Sequence, residues 1–170
     1  MRMWGDGLCA IRSGDAERGV EWVLRDRTGF VLTGARQHVP AGDNVLVEGY
    51  LALGDVDAAL KYALEAETMA HETQQYFYFA DTLRLKGLAL AAASEAADAE
   101  ATFVEALRFA RECGGRSLEL RIATTLADHL ASRFAHDEAR SLLRPVVAAV
   151  REGKQLRDYL AAQDVLHKLA

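Results

Sequence analysis

Laid against itself with a shift of 40 residues, the chain comes into register four times. Gly14, Gly54, Ser94 and Phe134 are successive steps of this period. Five positions after each lie Gly19, Ala59, Ala99 and Ala139, all small, and seven positions before each lie Gly7, Val47, Gly87 and Ala127, three of them small. Val23, Ala63, Phe103 and Leu143 form a further set that is apolar throughout. A fixed period of about 20–50 residues marks a repeat array, in which each unit buries its apolar face on its neighbours.

The repeat unit reads as helical. Apolar residues make up 51% of the chain, with only two prolines, and Ala and Leu lose little conformational freedom in a helix. From Tyr76, the residues Phe79, Leu83, Gly87 and Leu90 recur at helical spacing, and Ala99, Phe103, Ala106, Leu107 and Ala110 mark the inward face of a second helix that Gly114-Gly115 stops. In the next unit Leu118, Ile122, Leu126 and Leu130 form one face, and Ala139, Leu142, Leu143, Val146 and Val150 the other, with Ser117 expected as an N-cap. Pro145 either kinks that second helix or marks a boundary there, and Gly153 ends it. The second unit opens after Gly34 with Pro40 in its first turn; the first is the most degraded, with Asp26 where later units have Ala66, Ala106 and Val146. Its first helix starts short, and Leu160, Val165, Leu166 and Leu169 give the chain a lone helix at the other end.

The expected fold is therefore all-α: a right-handed α-solenoid of four antiparallel helix pairs in units of about 1–35, 36–75, 76–115 and 116–154, closed by a C-terminal capping helix over 155–170, in a single domain.

The spacing of small residues resembles that of tetratricopeptide (TPR) repeats. Gly87, Ala99 and Ala106 in the third unit, with Phe103 at the aromatic position, fit that pattern, as do Leu46, Tyr50, Gly54, Ala59 and Ala66 in the second. The chain departs from it in its 40-residue period, against the usual 34, and in glycines that stand where the family ends a helix with proline. Glu72-Thr73 through Leu88, Glu105 through Ala110, and Gly115-Arg116-Ser117-Leu118-Glu119-Leu120-Arg121 resemble the C-terminal tail of large bacterial regulators, which join a cyclase or DNA-binding domain to an ATPase module. That resemblance implies a helical sensor or scaffold region and carries over no cyclase or ATPase residues.

Composition and motifs exclude other classes. A formal charge of −5, from 20 basic and 25 acidic residues, is not the footprint of a nucleic-acid binder. The longest apolar run, Leu88 to Ala93, is far below the roughly 20 residues that span a bilayer, and the N-terminus is a poor signal peptide, so the cytoplasm is the expected location. Cys9 and Cys113 read as reduced, buried helical thiols. Gly5-x-Gly7 lacks the context of a phosphate loop, and His71-Glu72 has Gln75 where a zinc protease needs histidine. His129 and His136 read as solvated or capping, and the carboxylates Glu65/Glu67 and Asp98/Glu100 as solvated charge, with Lys61–Glu65 and Arg108–Glu112 as helix-surface pairs. No enzyme, cofactor or metal is expected.

By resemblance to TPR arrays, the first helices line a concave groove with Trp4, Arg12, Asn44, Glu48, Asp81, Arg84, Arg121, Thr124 and Asp128. Arg84 and Arg121 either grip a partner's carboxylate or pair with Asp81, Glu48 or Asp128 in register. The leading expectation is a non-catalytic scaffold or sensor that binds a protein or peptide. Two others stay open: a groove that closes on a small ligand, and a homodimer through Met1, Met3, Trp4, Leu8 and Ile11.

Overall fold

The computed structural model describes residues 4–169. The described chain is helical and holds no strand. Its order is α1 (Gly5–Arg12), α2 (Ala16–Leu32), a 3-10 turn (Arg36–His38), α3 (Val39–Leu53), α4 (Val56–Thr73), α5 (Phe79–Ala92), α6 (Ala96–Glu112), α7 (Arg116–Ser132), α8 (His136–Ala148) and α9 (Arg157–Lys168). Contacts divide it into two compact units, residues 1–99 and 100–170, with the boundary in the first turn of α6.

The period has a backbone cause. Residues 14, 34, 54, 74, 94, 114, 134 and 153 all have positive φ, one about every 20 residues. The Gly14, Gly54, Ser94, Phe134 series makes the turn within each helix pair, and Gly34, Gln74 and Gly114 make the turn between pairs. At each of these seven, the amide of the next residue bonds back to a carbonyl five residues earlier, as in Asp15 to Ala10, Asp55 to Tyr50 and Ala135 to Leu130. This left-handed closure satisfies carbonyls that the helix end would otherwise leave unpaired.

Phe134 is the costly member of the series. It holds φ 65°, and its ring is 87% exposed, so little burial offsets the strain. Phe134→Gly should raise stability by about 0.5–1 kcal/mol, the relief of left-handed strain exceeding the added freedom of the unfolded chain. Urea unfolding measures this. A loss of stability would mean that the ring makes contacts worth more than the strain.

In the first unit, α1 and α2 touch through glycines. A Cβ on Gly19 would lie 2.6 Å from the Gly7 carbonyl oxygen and 2.6 Å from Ile11 Cγ1. Around this contact Ile11, Val20, Val23, Val45 and Leu46 form a core, with Trp4, Leu8, Leu24, Tyr50 and Tyr62 against it. The next core joins Val47, Ala59 and Ala63 to Leu85 and Ala89 of α5. Asp55 caps α4 by accepting from the Ala58 amide at 3.0 Å.

In the second unit the Phe103 ring is fully buried and meets His129 edge-on at 5.4 Å between centroids. Leu120, Ile122, Leu126 and Leu130 of α7, Leu143 and Val147 of α8, and Ala162, Val165 and Leu169 of α9 supply the rest of the core. Ala99 and Ala106 are fully buried. Leucine at either should cost about 1–3 kcal/mol by overpacking, whereas exposed Glu105→Ala should change stability by less than about 0.5 kcal/mol in the same unfolding assay.

Several expectations are corrected here. Ser117 is not a cap, because the Gly115 carbonyl already accepts from Glu119 at 2.8 Å and the helix begins at Arg116. Pro145 lies inside α8 as expected, but the helix ends three residues later at Ala148, and not at Gly153. Leu160 is 51% exposed, because α9 turns Ala162, Val165 and Leu169 inward instead. Cys9 and Cys113 are exposed rather than buried. Cys9 points away from the Gly7–Ile11 face of α1, and Cys113 falls in the turn after α6.

Candidate functional site

The polar residues of the first helices form cross-links about one repeat apart in sequence. Arg12, at the end of α1, donates to both Glu48 oxygens on α3, at 3.1 and 2.9 Å. One turn earlier on α3, Asn44 is 6% exposed and accepts from the Thr82 hydroxyl of α5 at 3.0 Å. Arg84, buried on α5, donates to Asp81 of the same helix at 2.7 Å. In the second unit Arg121 of α7 reaches Asp158 of α9 through Nε at 3.1 Å and an Nη at 2.8 Å. Thr124 donates to the Leu120 carbonyl at 2.7 Å, and Asp128 is exposed.

Thus the arginines take in-register acids. Arg84 takes Asp81, one of the three carboxylates expected, while Asp158 was not among those considered for Arg121. The Arg12–Glu48 and Arg121–Asp158 pairs are roughly a quarter to two-fifths exposed. Ion pairs so open to water contribute only about 0–1 kcal/mol, so a partner's charge can replace one member at little cost.

Trp4 is turned elsewhere. Its ring lies 5.1 Å from Phe30 and sits where a side chain on Gly42 of α3 would be, 2.7 Å from the built Cβ. Leu8 packs on the same core, and Ile11 is 7% exposed within it. These three side chains serve the interior of the first unit; Met1 and Met3 lie outside the described residues.

An ionic cluster on α2, α3 and α4 was missed from sequence. Asp43 has no exposed surface, and Arg27 donates to its two oxygens at 2.5 and 3.4 Å and to Glu65 at 2.5 Å. Tyr62 lies under the Arg27 guanidinium at 5.4 Å and stacks on Tyr50 at 5.4 Å. Burial pushes the Asp43 carboxyl up to about 6, with Arg27 pulling against it. The Arg27 guanidinium is raised: burial pulls it down, and the hydrogen bond and charge of Asp43 outweigh that. Burial also raises both tyrosines. The repeat register held the signal, since 40 and 80 residues after Asp43 stand Leu83 and Ala123, both buried. Glu65 is therefore not simply solvated, and the expected Lys61–Glu65 pair is replaced: Lys61 lies over the Tyr62 ring. Glu67 holds Lys86 at 2.6 Å, and Glu100 pairs with Arg133. Arg108–Glu112 forms as expected, at 2.6 Å.

His129 sits against Phe103 rather than in solvent, and His136 is exposed at the start of α8. Among the described residues no group of three or more His, Cys, Asp or Glu is placed to hold a metal, and no helix is long and apolar enough to cross a membrane.

Helix pairs joined by left-handed turns, with small residues at the crossings, define a TPR-like helical repeat. No protein-family profile matches the chain, and no curated protein aligns with it. Among solved structures it is similar to a crystal structure from Podosopora anserina, a putative kinesin light chain with nearly identical TPR-like repeats. The two share 18% identity over 98% of this chain and 83% of that one, at a TM-score of 0.73. A point variant of that protein gives 18% identity over 98% and 82%, at a TM-score of 0.74. At this identity the likeness is one of fold.

Proposed function

We propose that the chain is a non-catalytic protein-interaction scaffold or sensor module of a bacterial regulatory protein, binding a protein or peptide along its first helices. The observation that carries this reading is the set of half-exposed polar links, Arg12–Glu48 on α1 and α3 and Arg121–Asp158 on α7 and α9, on a fold whose relatives in architecture bind along extended surfaces. Each link presents a guanidinium that can exchange its own carboxylate for a partner's. The bacterial setting is supported by the stretches from Glu72 to Leu88 and from Gly115 to Arg121, which resemble regulator tails. Two free thiols fit a reducing cytoplasm.

The test is capture of partners from a bacterial lysate, followed by calorimetry between the chain and each purified candidate. Arg12→Glu and Arg121→Glu should each weaken a true partner by about tenfold or more, with circular dichroism showing that each variant still folds. Binding that both variants leave intact would overturn the placement of the site, and catalytic turnover by the purified chain would overturn the non-catalytic reading.

A further inference from the structure

The second unit contains a cavity of about 630 Å³ beside the early end of α8. The second helices α2, α4 and α6 run 17, 18 and 17 residues, whereas α8 stops after 13. Proline supplies no amide to the ladder and clashes with the turn before it, and α8 runs through Pro145 only as far as Ala148. The residues that would have formed its last turn, Ala149, Val150, Arg151 and Glu152, instead line the cavity, and Gly153 with φ 74° turns the chain towards α9.

The lining has two characters. Leu120, Pro145, Val146, Val150 and Leu156 supply the apolar lining, Leu156 with 61% of its surface exposed. Three guanidiniums stand at the polar side. Arg111 is taken by Glu119 at 2.7 Å, and the nearby Asp158 is held by Arg121. Among the described residues Arg116 and Arg151 have no carboxylate partner, which leaves two cations against the one lining acid, Glu152, that is likewise unpaired there. The charge of the chain is skewed the same way: residues 100–170 carry 11 basic and 10 acidic side chains, residues 1–99 carry 9 and 15.

We propose that this cavity is a binding site for a small amphipathic anion, an acyl or aryl chain lying against the Leu120–Val146–Leu156 lining with a carboxylate or phosphate head at Arg116 and Arg151. Its volume falls within the roughly 300–1,000 Å³ of small-molecule sites, and an apolar wall with a few polar groups at one side is their usual composition. A planar guanidinium donates to the oxygens of either head group in bidentate fashion. The site adjoins the proposed partner-binding surface at Asp158, which lines the cavity and pairs with Arg121, but its ligand is held by Arg116 and Arg151 and does not depend on that reading.

Decanoate below its micelle-forming concentration is the probe, titrated calorimetrically into the full chain, with decyl phosphate and decanol in parallel. Saturable one-to-one binding of either anion is expected, with decanol about tenfold weaker or worse. Arg116→Ala and Arg151→Ala should each weaken the anion by a similar factor, and Ala149→Phe, which fills the cavity, should abolish binding; circular dichroism reports that each variant folds. No binding of either anion, equal binding of decanol, or indifference to both arginine substitutions would overturn the proposal. So would displacement of chemical shifts only at residues away from 116–120 and 145–159.

Discussion

Arg27→Met should lower stability at pH 7 by about 3–5 kcal/mol, the largest single effect expected in this protein. Asp43 has no exposed surface, and Arg27 is the cation that joins it to Glu65. Methionine keeps much of the packing volume but leaves a buried carboxylate beside a second acid, which costs far more than the pair contributes when intact. Arg27→Met/Asp43→Leu should therefore recover most of the loss, and a double variant no better than the single one would assign the cost to packing. The cluster also gives a pH signature. With its folded value near 6 against 3.8 for the free side chain, Asp43 binds more proton in the fold than in the unfolded chain between those limits. Its contribution is then most favourable below about pH 4 and is lost as pH rises through 6, a change on the order of 1–3 kcal/mol. Urea unfolding at pH 5 and pH 7 should show the wild type gaining on Asp43→Asn as pH falls; a constant difference would contradict the role of burial.

Two glycines of one helix should respond oppositely to the same substitution. Gly19→Ala is expected to cost about 2 kcal/mol or more, because its Cβ would meet the backbone oxygen of Gly7 and a buried side chain of α1, neither of which can move cheaply. Gly29→Ala, ten residues along α2 with nothing within 4 Å of the added carbon, should gain about 0.5–1 kcal/mol from helix propensity alone. Equal effects at the two positions would mean that α1 and α2 do not meet at the Gly7–Gly19 crossing.

The parts of the fold legible in the sequence were those fixed by sterics repeated at a period. Small residues at the crossings and a left-handed residue at each turn recur because the same geometry recurs, so Gly7, Gly19, Gly14 and Gly54 announce themselves. Where a turn tolerates strain, as at Gln74, Ser94 and Phe134, residue type alone does not reveal it, and only the period does. Ser117 misled because a capping hydroxyl is a local signal, whereas the helix start was set two residues earlier by the Gly115 carbonyl. Among the candidate site residues, the pairing of Arg84 with Asp81 was readable from their spacing on one helix. For the Arg27–Asp43–Glu65 cluster the register marked position 43 as buried, but the pairing itself depends on three helices meeting and on burial overriding the usual exposure of charge.

The repeat itself is tested most directly by solution NMR of the backbone. Carbon chemical shifts should be helical in the nine stretches from Gly5 to Lys168, and the non-glycines Gln74, Ser94 and Phe134 should each report positive φ through strong intraresidue amide–Hα cross-relaxation. Helical shifts running unbroken through Ser94 and Phe134, or extended shifts at any of the nine stretches, would contradict a chain built from helix pairs on a 40-residue period.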